Sequence, residues 1–400
     1  MKLLIGGSPC THWSIARTKN RETEASGIGW ELFLNYKIAL DKYQPDYFLY
    51  ENNKSMAPAI KAQISKELGV EPVLINSALV SAQNRQRLYW VGKRNPDGTY
   101  SQVRVEQPED RGILLRDILE TGICWREKAY TLKANYFKSS VANATGGGHF
   151  PAPMAAEPVR IGTIESKAEN TDFDSQQYRV YSPDGKSVTL CGQGGGVGAK
   201  TGLYAVPAGM AWRGRENGSA FEMRDDQKSN AVAATGHQSR LVIEAAGGKE
   251  IPVYEVRGGR ITIKGKEYPI KLADGFYIIR KLTVRECMRL QTVPEEYVFP
   301  VSASQAYKML GNGWTVDVIA HIMSHFIGLT AEPVEVLSMY DGMSCGHIAL
   351  DKLGVQPWLL RYYATEIDKY AIQTTQHNFP DTVQLGDAFQ VRDDDWKVDG

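Results

Sequence analysis

Leu3-Leu4-Ile5-Gly6-Gly7-Ser8-Pro9-Cys10 joins a short apolar run to two glycines, a serine, a proline and a thiol. Leu3 to Ile5 has strand character. The glycines let the backbone turn where a Cβ would clash, and the proline fixes φ just before the sulfur. The stretch predicts a cysteine on a rigid turn at the carboxyl end of a strand, where open α/β sheets do their chemistry. Taken alone, Cys10 reads better as a buried thiol behind a tight turn.

Outward from this stretch, Thr11 to Arg21 is polar, carries Arg17, Lys19 and Arg21, and reads as an exposed loop. A helix from about Trp30 sets Leu32, Phe33, Tyr36 and Leu40 on one face. Tyr47-Phe48-Leu49-Tyr50 reads as a buried strand that delivers Glu51-Asn52-Asn53 at its end. Ile60, Ile64 and Leu68 mark a helix stopping at Gly69. Val73 to Ile75 is a strand, and Gln83-Asn84-Arg85-Gln86-Arg87 precedes another, Leu88-Tyr89-Trp90-Val91. Alternating β and α units predict a mostly parallel sheet.

Near Arg94 the texture changes, and to about Ile279 the chain is glycine-rich with short alternating strands. Lys128-Ala129-Tyr130-Thr131-Leu132, Lys186-Ser187-Val188-Thr189-Leu190 and Lys228-Ser229-Asn230-Ala231-Val232 open weakly similar units. The first two run into Gly146-Gly147-Gly148 and Gly194-Gly195-Gly196, the third into Thr235-Gly236. This predicts a β-rich inserted domain. Helical pattern returns at Leu282, where Thr283 and Glu286 fit a capping box. A turn at Gly311-Asn312-Gly313 leads to a helix with Ile319, Ile322, Met323 and Phe326 in its core stripe. His321 and His325 share a face without a third metal ligand nearby, which favours a structural role.

Glu335 to Tyr340 is again a strand, followed by the glycine-containing turn Asp341-Gly342-Met343-Ser344-Cys345-Gly346 and a helix. Arg361 to Thr365 forms the next strand and ends at Glu366, and a third reaches Gly386-Asp387. An acid roughly 20 residues beyond a glycine turn suits ribose hydroxyls. The turn is not G-x-G-x-x-G, so this spacing alone is a weak signal.

The 400 residues are 42% hydrophobic and 23% charged, with zero net charge, as in a globular protein large enough for two domains or one with a large insertion. No apolar run is long enough to span a bilayer, and Leu3 to Ile5 is too short for a signal-peptide core. Five cysteines without paired spacing argue against a disulfide framework or a zinc site, and place the chain in a reducing compartment such as the cytoplasm. Zero net charge neither announces nor excludes a nucleic-acid partner.

Several blocks together resemble the DNA (cytosine-5) methyltransferases. Gly6-Gly7-Ser8-Pro9-Cys10 with Ser14, Glu51-Asn52, Gln83-x-Arg85-x-Arg87, Leu282-Thr283-x-Arg285-Glu286-x-x-Arg289-Leu290-Gln291 and Gln305-x-x-Lys308-x-x-Gly311-Asn312 look like successive signature motifs of that family. Tyr340-x-Gly342, Glu366 and Gly386-Asp387 look like its S-adenosylmethionine motifs. The order departs from the family, in which the cofactor motifs usually come first. It is that of a circular permutation, with Glu332-Pro333 as new linker and the termini expected close together at one sheet edge. Ser344-Cys345, where many members carry a second glycine, is closer to the animal de novo methyltransferases and their phage-encoded relatives.

The resemblance implies a Rossmann-like methyltransferase sheet, circularly permuted, with an inserted target-recognition domain. The implied divisions are 1–94 and 280–330 for the first catalytic parts, 95–279 for the β-rich insert and 331–400 for cofactor binding. Cys10 would be the nucleophile and Glu51, once protonated, the acid at cytosine N3. Asn52 would orient Glu51, and Arg87, with Arg85 behind it, would contact the base or the carboxylate. Pro9, Asn312, Tyr340, Asp341, Gly342, Met343, Glu366, Ile367 and Asp387 would hold S-adenosyl-L-methionine. Ser14, Arg17, Lys19 and Gln83 would touch DNA. Implied too are double-stranded DNA as partner, no metal or membrane, a monomer or dimer, a nucleoid location and a link to restriction-modification. A tRNA cytosine-5 methyltransferase and a silent DNA-binding homologue remain alternatives.

Overall fold

In the computed structural model of the chain, β1 (Lys2–Gly6) is a central strand whose Leu3, Leu4 and Ile5 have no solvent exposure. A strand covered on both faces carries an unbroken apolar run rather than an alternating one. The structure describes residues 1–14, 21–124, 126–141, 152–158, 160–163, 249–263 and 265–398, with the strand segments 179–181, 203–204, 209–215, 218–224 and 242–245. They fall into two units. The first comprises Met1–Ile118, Glu127–Ser139 and Leu282–Gly400, the second Leu119–Arg126 and Ser140–Lys281.

The first unit is built on one sheet. To β1 it adds β2 (Tyr47–Asn53), β3 (Pro72–Asn76), β4 (Gln86–Arg94), β5 (Tyr100–Gln102), β6 (Val334–Met339), β7 (Leu360–Thr365) and β8 (Val383–Gly386). The order is β8-β7-β6-β1-β2-β4-β3, with β5 on β4. Leu4 stands opposite Leu337 of β6 and Phe48 of β2, both in parallel pairing. The expected mostly parallel sheet therefore holds from β8 to β2, whereas β4 runs antiparallel to both β2 and β3. Residues 77–85 are too few for the crossover a parallel return requires, so β4 comes straight back.

Helices cover the faces: α1 (Gly27–Tyr43), α2 (Pro58–Leu68), α3 (Val284–Leu290), α4 (Ala303–Asn312), α5 (Val316–Met323), α6 (Cys345–Lys352) and α7 (Lys369–Asn378). Trp13, Phe33, Tyr36, Tyr50 and Trp90 join the aliphatics of α1 and α2 in one core cluster. Helix α2 ends on Gly69 at φ 72°, and α3 starts with the expected capping box of Thr283 and Glu286. On α5, His321 Nε2 lies 2.8 Å from the Glu106 carbonyl oxygen, and His325, just past the end of the helix, has its Nδ1 2.9 Å from the His321 carbonyl oxygen. Among the described residues, no helix is long and apolar enough to cross a membrane.

The two windings of the sheet both start at its centre, β1 towards β2 and β6 towards β7. The strand order therefore reverses between β1 and β6, where the carboxyl ends of an open sheet leave a crevice. Met1 donates its ammonium hydrogen to the Pro333 carbonyl, and the last turn of α1 meets both ends of the described chain. Lys2 Nζ lies over the Tyr43 ring, and Lys42 Nζ donates to the Asp393 carbonyl. Gly400 lies outside the described residues.

The second unit is β-rich. Residues 154–158, 254–257, 260–263, 266–269 and 275–281 form an antiparallel five-stranded sheet. Residues 209–215 pair with 218–224, and 242–245 with 249–252. The change of texture at Arg94 does not mark its edge, because β5 pairs with β4 and Ala129 bridges to Gln83 inside the first unit. The glycine clusters and the second and third repeat openings lie outside the described residues.

Gly311 ends α4 where the chain of Lys133–Ala134 crosses it. A Cβ there would stand 2.2 Å from the Lys133 carbonyl carbon, and backbone cannot step aside as a side chain can. Gly311→Ala should destabilise the protein by about 1–3 kcal/mol, the usual cost of overpacking, read as a lower urea midpoint.

Candidate active site

Gly6 leads out of β1 under close packing, since a Cβ there would lie 2.8 Å from the Met339 carbonyl oxygen. Gly7 is needed for a different reason. The Glu51 side chain lies across it, and a Cβ would stand 3.0 Å from Glu51 Oε2. Ser8 is buried with its Oγ 2.6 Å from the Tyr50 hydroxyl, and Pro9 is exposed on the cleft wall. Cys10 opens a single 3₁₀ turn, Cys10–His12. The Cys10 side chain, Arg17 and Lys19 lie outside the described residues, and Ser14 is half-buried at the edge of that loop.

Glu22, which the sequence shows only as part of a polar loop, closes the base of this loop. Its carboxylate accepts from Trp13 Nε1 at 3.1 Å and from the Gly29 amide at 3.2 Å, and lies 3.2 Å from His12 Nδ1. It thereby supplies the cap that Ser26, without a side-chain bond, does not give to α1. That anchorage is why α1 begins before Trp30. Arg21, at the end of the same loop, donates to the carbonyls of Trp13 and Ser55.

Glu51 sits on β2 opposite Tyr89, and Arg87 opposite Asn53, so Glu51 and Arg87 are diagonal neighbours across an antiparallel pair. Arg87 Nε is 3.0 Å from Glu51 Oε1, and Trp314 Nε1 donates to Oε2 at 3.0 Å. Both oxygens thus accept from directed donors. No sequence signal marks Trp314, because Gly311-Asn312-Gly313 reads as a turn before a helix, whereas Gly311 and Asn312 form the end of α4 and Trp314 follows directly after its cap Gly313.

Three residues do other work than expected. Asn52 does not reach Glu51. Its amide donates to the Ser8 carbonyl at 3.2 Å and to the Tyr50 hydroxyl, so it holds the turn ahead of Cys10. Arg85 is buried and donates to the carbonyls of Leu132, Gly311 and Gly313, joining three segments. Gln83 has no exposed surface for DNA. It donates to the Leu290 carbonyl and accepts from the Leu132 amide. The cause is a single strand start: Arg87 lies on β4 facing Glu51, while 83 and 85 precede the strand and turn inward.

Across the crevice, the turn after β6 holds Tyr340 at φ 60° and Ser344 at φ 56°, left-handed conformations uncommon for side chains with a Cβ. Asp341 beneath it accepts from the hydroxyls of Ser338 at 2.6 Å, Tyr362 at 2.8 Å and Ser344. Burial pushes the Asp341 carboxyl up to about 6 against the pull of these hydroxyls. Gly342, at φ 62°, donates its amide to Glu366 Oε2 at 2.8 Å, and Glu366 Oε1 accepts from the amides of Ile367 and Asp368. Asp387 accepts from the Phe389 amide, and the Tyr340 hydroxyl donates to the Leu32 carbonyl.

These walls enclose one cleft of about 480 Å³, in the range of small-molecule sites. Pro9, Glu51, Arg87, Asn312 and Trp314 line it together with Tyr340 to Met343, Glu366, Ile367 and Asp387. Ile367 is three-quarters exposed there, an apolar side chain facing open cleft. The groups expected at opposite ends of the sequence are therefore brought together.

The sequence profile of the C-5 cytosine-specific DNA methylases matches residues 1–327. The chain is 25% identical over 388 residues to the orphan methyltransferase M.SPRI of Bacillus phage SPR, covering 81% of this chain and 82% of that one. It is 25% identical over 332 residues to the type II methyltransferase M.HpaII of Haemophilus parainfluenzae, covering 79% and 69%. A shorter match, 37% over 87 residues, links 21% of this chain to 27% of M.HhaI of Haemophilus parahaemolyticus.

Arg85→Ala should strand three buried carbonyls and cost on the order of 3 kcal/mol, whereas Arg87→Ala should leave the urea midpoint within experimental error of the parent. Asp341 sets a pH dependence of stability. Between about pH 4 and 6 the folded chain keeps a proton that the unfolded chain has lost. That contribution is full below pH 4 and fades as pH rises through 6. Asp341→Asn lacks it, so the parent's thermal midpoint minus the variant's should be greatest near pH 4 and shrink towards pH 7.

Proposed function

The chain belongs to the C-5 cytosine-specific DNA methylase family, and on that premise we propose that its cleft methylates carbon 5 of a cytosine turned out of duplex DNA, with Cys10 as nucleophile. One observation carries the assignment of roles. Glu51, held by Arg87, lies over Gly7 in the turn that leads to Cys10, within the same cleft as Gly342 and Glu366.

The family's methyl donor is S-adenosylmethionine, and the residues present fit it. Gly342 has open space where a Cβ would stand, so a ligand can approach its backbone. Glu366 would take ribose hydroxyls, Ile367 an apolar ring face and Asp387 an adenine amine, with Pro9, Asn312, Tyr340 and Met343 completing the wall. When bound, this cofactor supplies a methyl group made electrophilic by a sulfonium sulfur.

Carbon 5 of cytosine is a poor nucleophile, and the chain's residues are arranged to change that. The Cys10 thiolate would add to carbon 6, pushing the ring's double-bond electrons towards carbon 5. Glu51, protonated, would donate to N3 and so stabilise the density that builds there. Arg87 stays beside the carboxyl group and the base. Once carbon 5 has formed its bond to the methyl carbon, loss of the carbon-5 proton to solvent and departure of the Cys10 thiolate would restore the aromatic ring, with the N3 proton returning to Glu51. None of this is reachable inside a stacked duplex, hence the flipped base.

The second unit would read the sequence around the target, and the loop bearing Arg17 and Lys19 would touch phosphates. The motif order, with β1 and β2 before β6 to β8, supports a circular permutation of the family's sheet. The protein would act on double-stranded DNA, as a monomer or a dimer, in the cytoplasm.

Expressed in a host free of cytosine methylation, the protein should leave 5-methylcytosine at one recurring sequence in bisulfite maps. Unmodified host DNA would refute the reading. Cys10→Ser should abolish both the methylation and the covalent adduct with 5-fluorocytosine duplex.

A further inference from the structure

Glu51 is held from two sides, and only one of them follows from the sheet. Arg87 reaches Oε1 because strand pairing places it diagonally across from Glu51. Trp314 reaches Oε2 from a turn between α4 and α5 that has no register with β2. We infer that Trp314 is a positioning residue for the acid, fixing its free oxygen and tying it to the cofactor turn. The inference rests on the reading of Glu51 as the group that meets the base.

The indole N–H suits this task. It is a donor with no acceptor and no titration, so it holds a carboxylate without adding a charge to the cleft. A second directed bond removes the rotation that Arg87 alone would leave to the Glu51 side chain. The neighbouring contacts show how Trp314 is itself held. Its carbonyl oxygen lies 3.7 Å from Cys345 Sγ, the first residue of α6 directly after the cofactor turn. Gly313 sits so close to this sulfur that a Cβ would come within 3.1 Å of it. The main chain at 313–314 therefore rests on the end of the cofactor turn while the side chain rests on the acid. Burial pushes the Cys345 thiol up to about 12, so this seat stays neutral over the working range of pH.

The consequence is separable from stability. Trp314→Phe keeps the ring and removes the donor. On a duplex carrying the bisulfite-mapped target with 5-fluorocytosine at its centre, and with S-adenosylmethionine present, adduct formation should slow by roughly 10- to 100-fold, the size of one hydrogen bond to a charged group. The dissociation constant for S-adenosylmethionine, measured calorimetrically, should change less than about twofold. Glu51→Gln will slow the adduct too, and adding Trp314→Phe to it should slow it no further, because Trp314 acts through Glu51.

A second measurement covers the case in which Trp314→Phe does not fold. In the parent labelled with 15N-tryptophan, Glu51→Gln should shift one indole N–H resonance and speed its exchange with solvent. Adduct formation at the parental rate in Trp314→Phe, a full additional loss on the Glu51→Gln background, or no indole resonance responding to Glu51→Gln would each overturn the inference. A parent that forms no adduct at all would overturn the methyltransferase reading itself and this inference with it.

Discussion

The pairing of β1 with β6 is the constraint on which the remaining geometry depends. Five residues of each strand lie side by side in parallel, Lys2 against Glu335 through Gly6 against Met339. Parallel pairing forces both strands to end on the same edge, and the reversal of winding there leaves no helix crossing over the gap. The turn to Cys10 and the turn through Gly342 are thus delivered to one crevice. Everything else in the first unit either widens this sheet or covers it.

Much of that arrangement is legible in the residues. Leu3 to Ile5 reads as a strand because it is unbroken and apolar, and it is one, with no solvent exposure. The capping box at Thr283 and the stop at Gly69 are local chemistry and appear where their residues stand. Glu51 and Arg87 can be named in advance through the resemblance of their motifs to the family's, since strand pattern alone leaves each a solvated charge. Their partnership needs the antiparallel register of β2 and β4, which periodicity does not carry.

What stays hidden is hidden for one physical reason: a polar side chain's partner is usually backbone far away in sequence. Arg85 and Arg87 differ by two positions and look alike. One satisfies carbonyls at 132, 311 and 313, and the other pairs with Glu51. Glu22 looks like a solvated loop residue yet caps a helix and anchors His12 and Trp13. Such buried networks are high-stakes because each unpaired member costs its full desolvation. They fix the cleft more firmly than the residues that line it.

The same central pairing has a consequence for synthesis. Met1 and Pro333, which hydrogen-bond at the mouth of the β1–β6 pair, are 332 positions apart. A ribosome delivers β1 before the second unit and β6 only after it. Until then the most apolar strand of the sheet has β2 on one edge and nothing on the other, and an open strand edge invites pairing with other chains. Distant contacts also close slowly, since loop entropy must be met before they form. For those 332 positions of synthesis the strand that leads to the candidate site has one edge open, the kind of exposed edge on which folding intermediates misassemble.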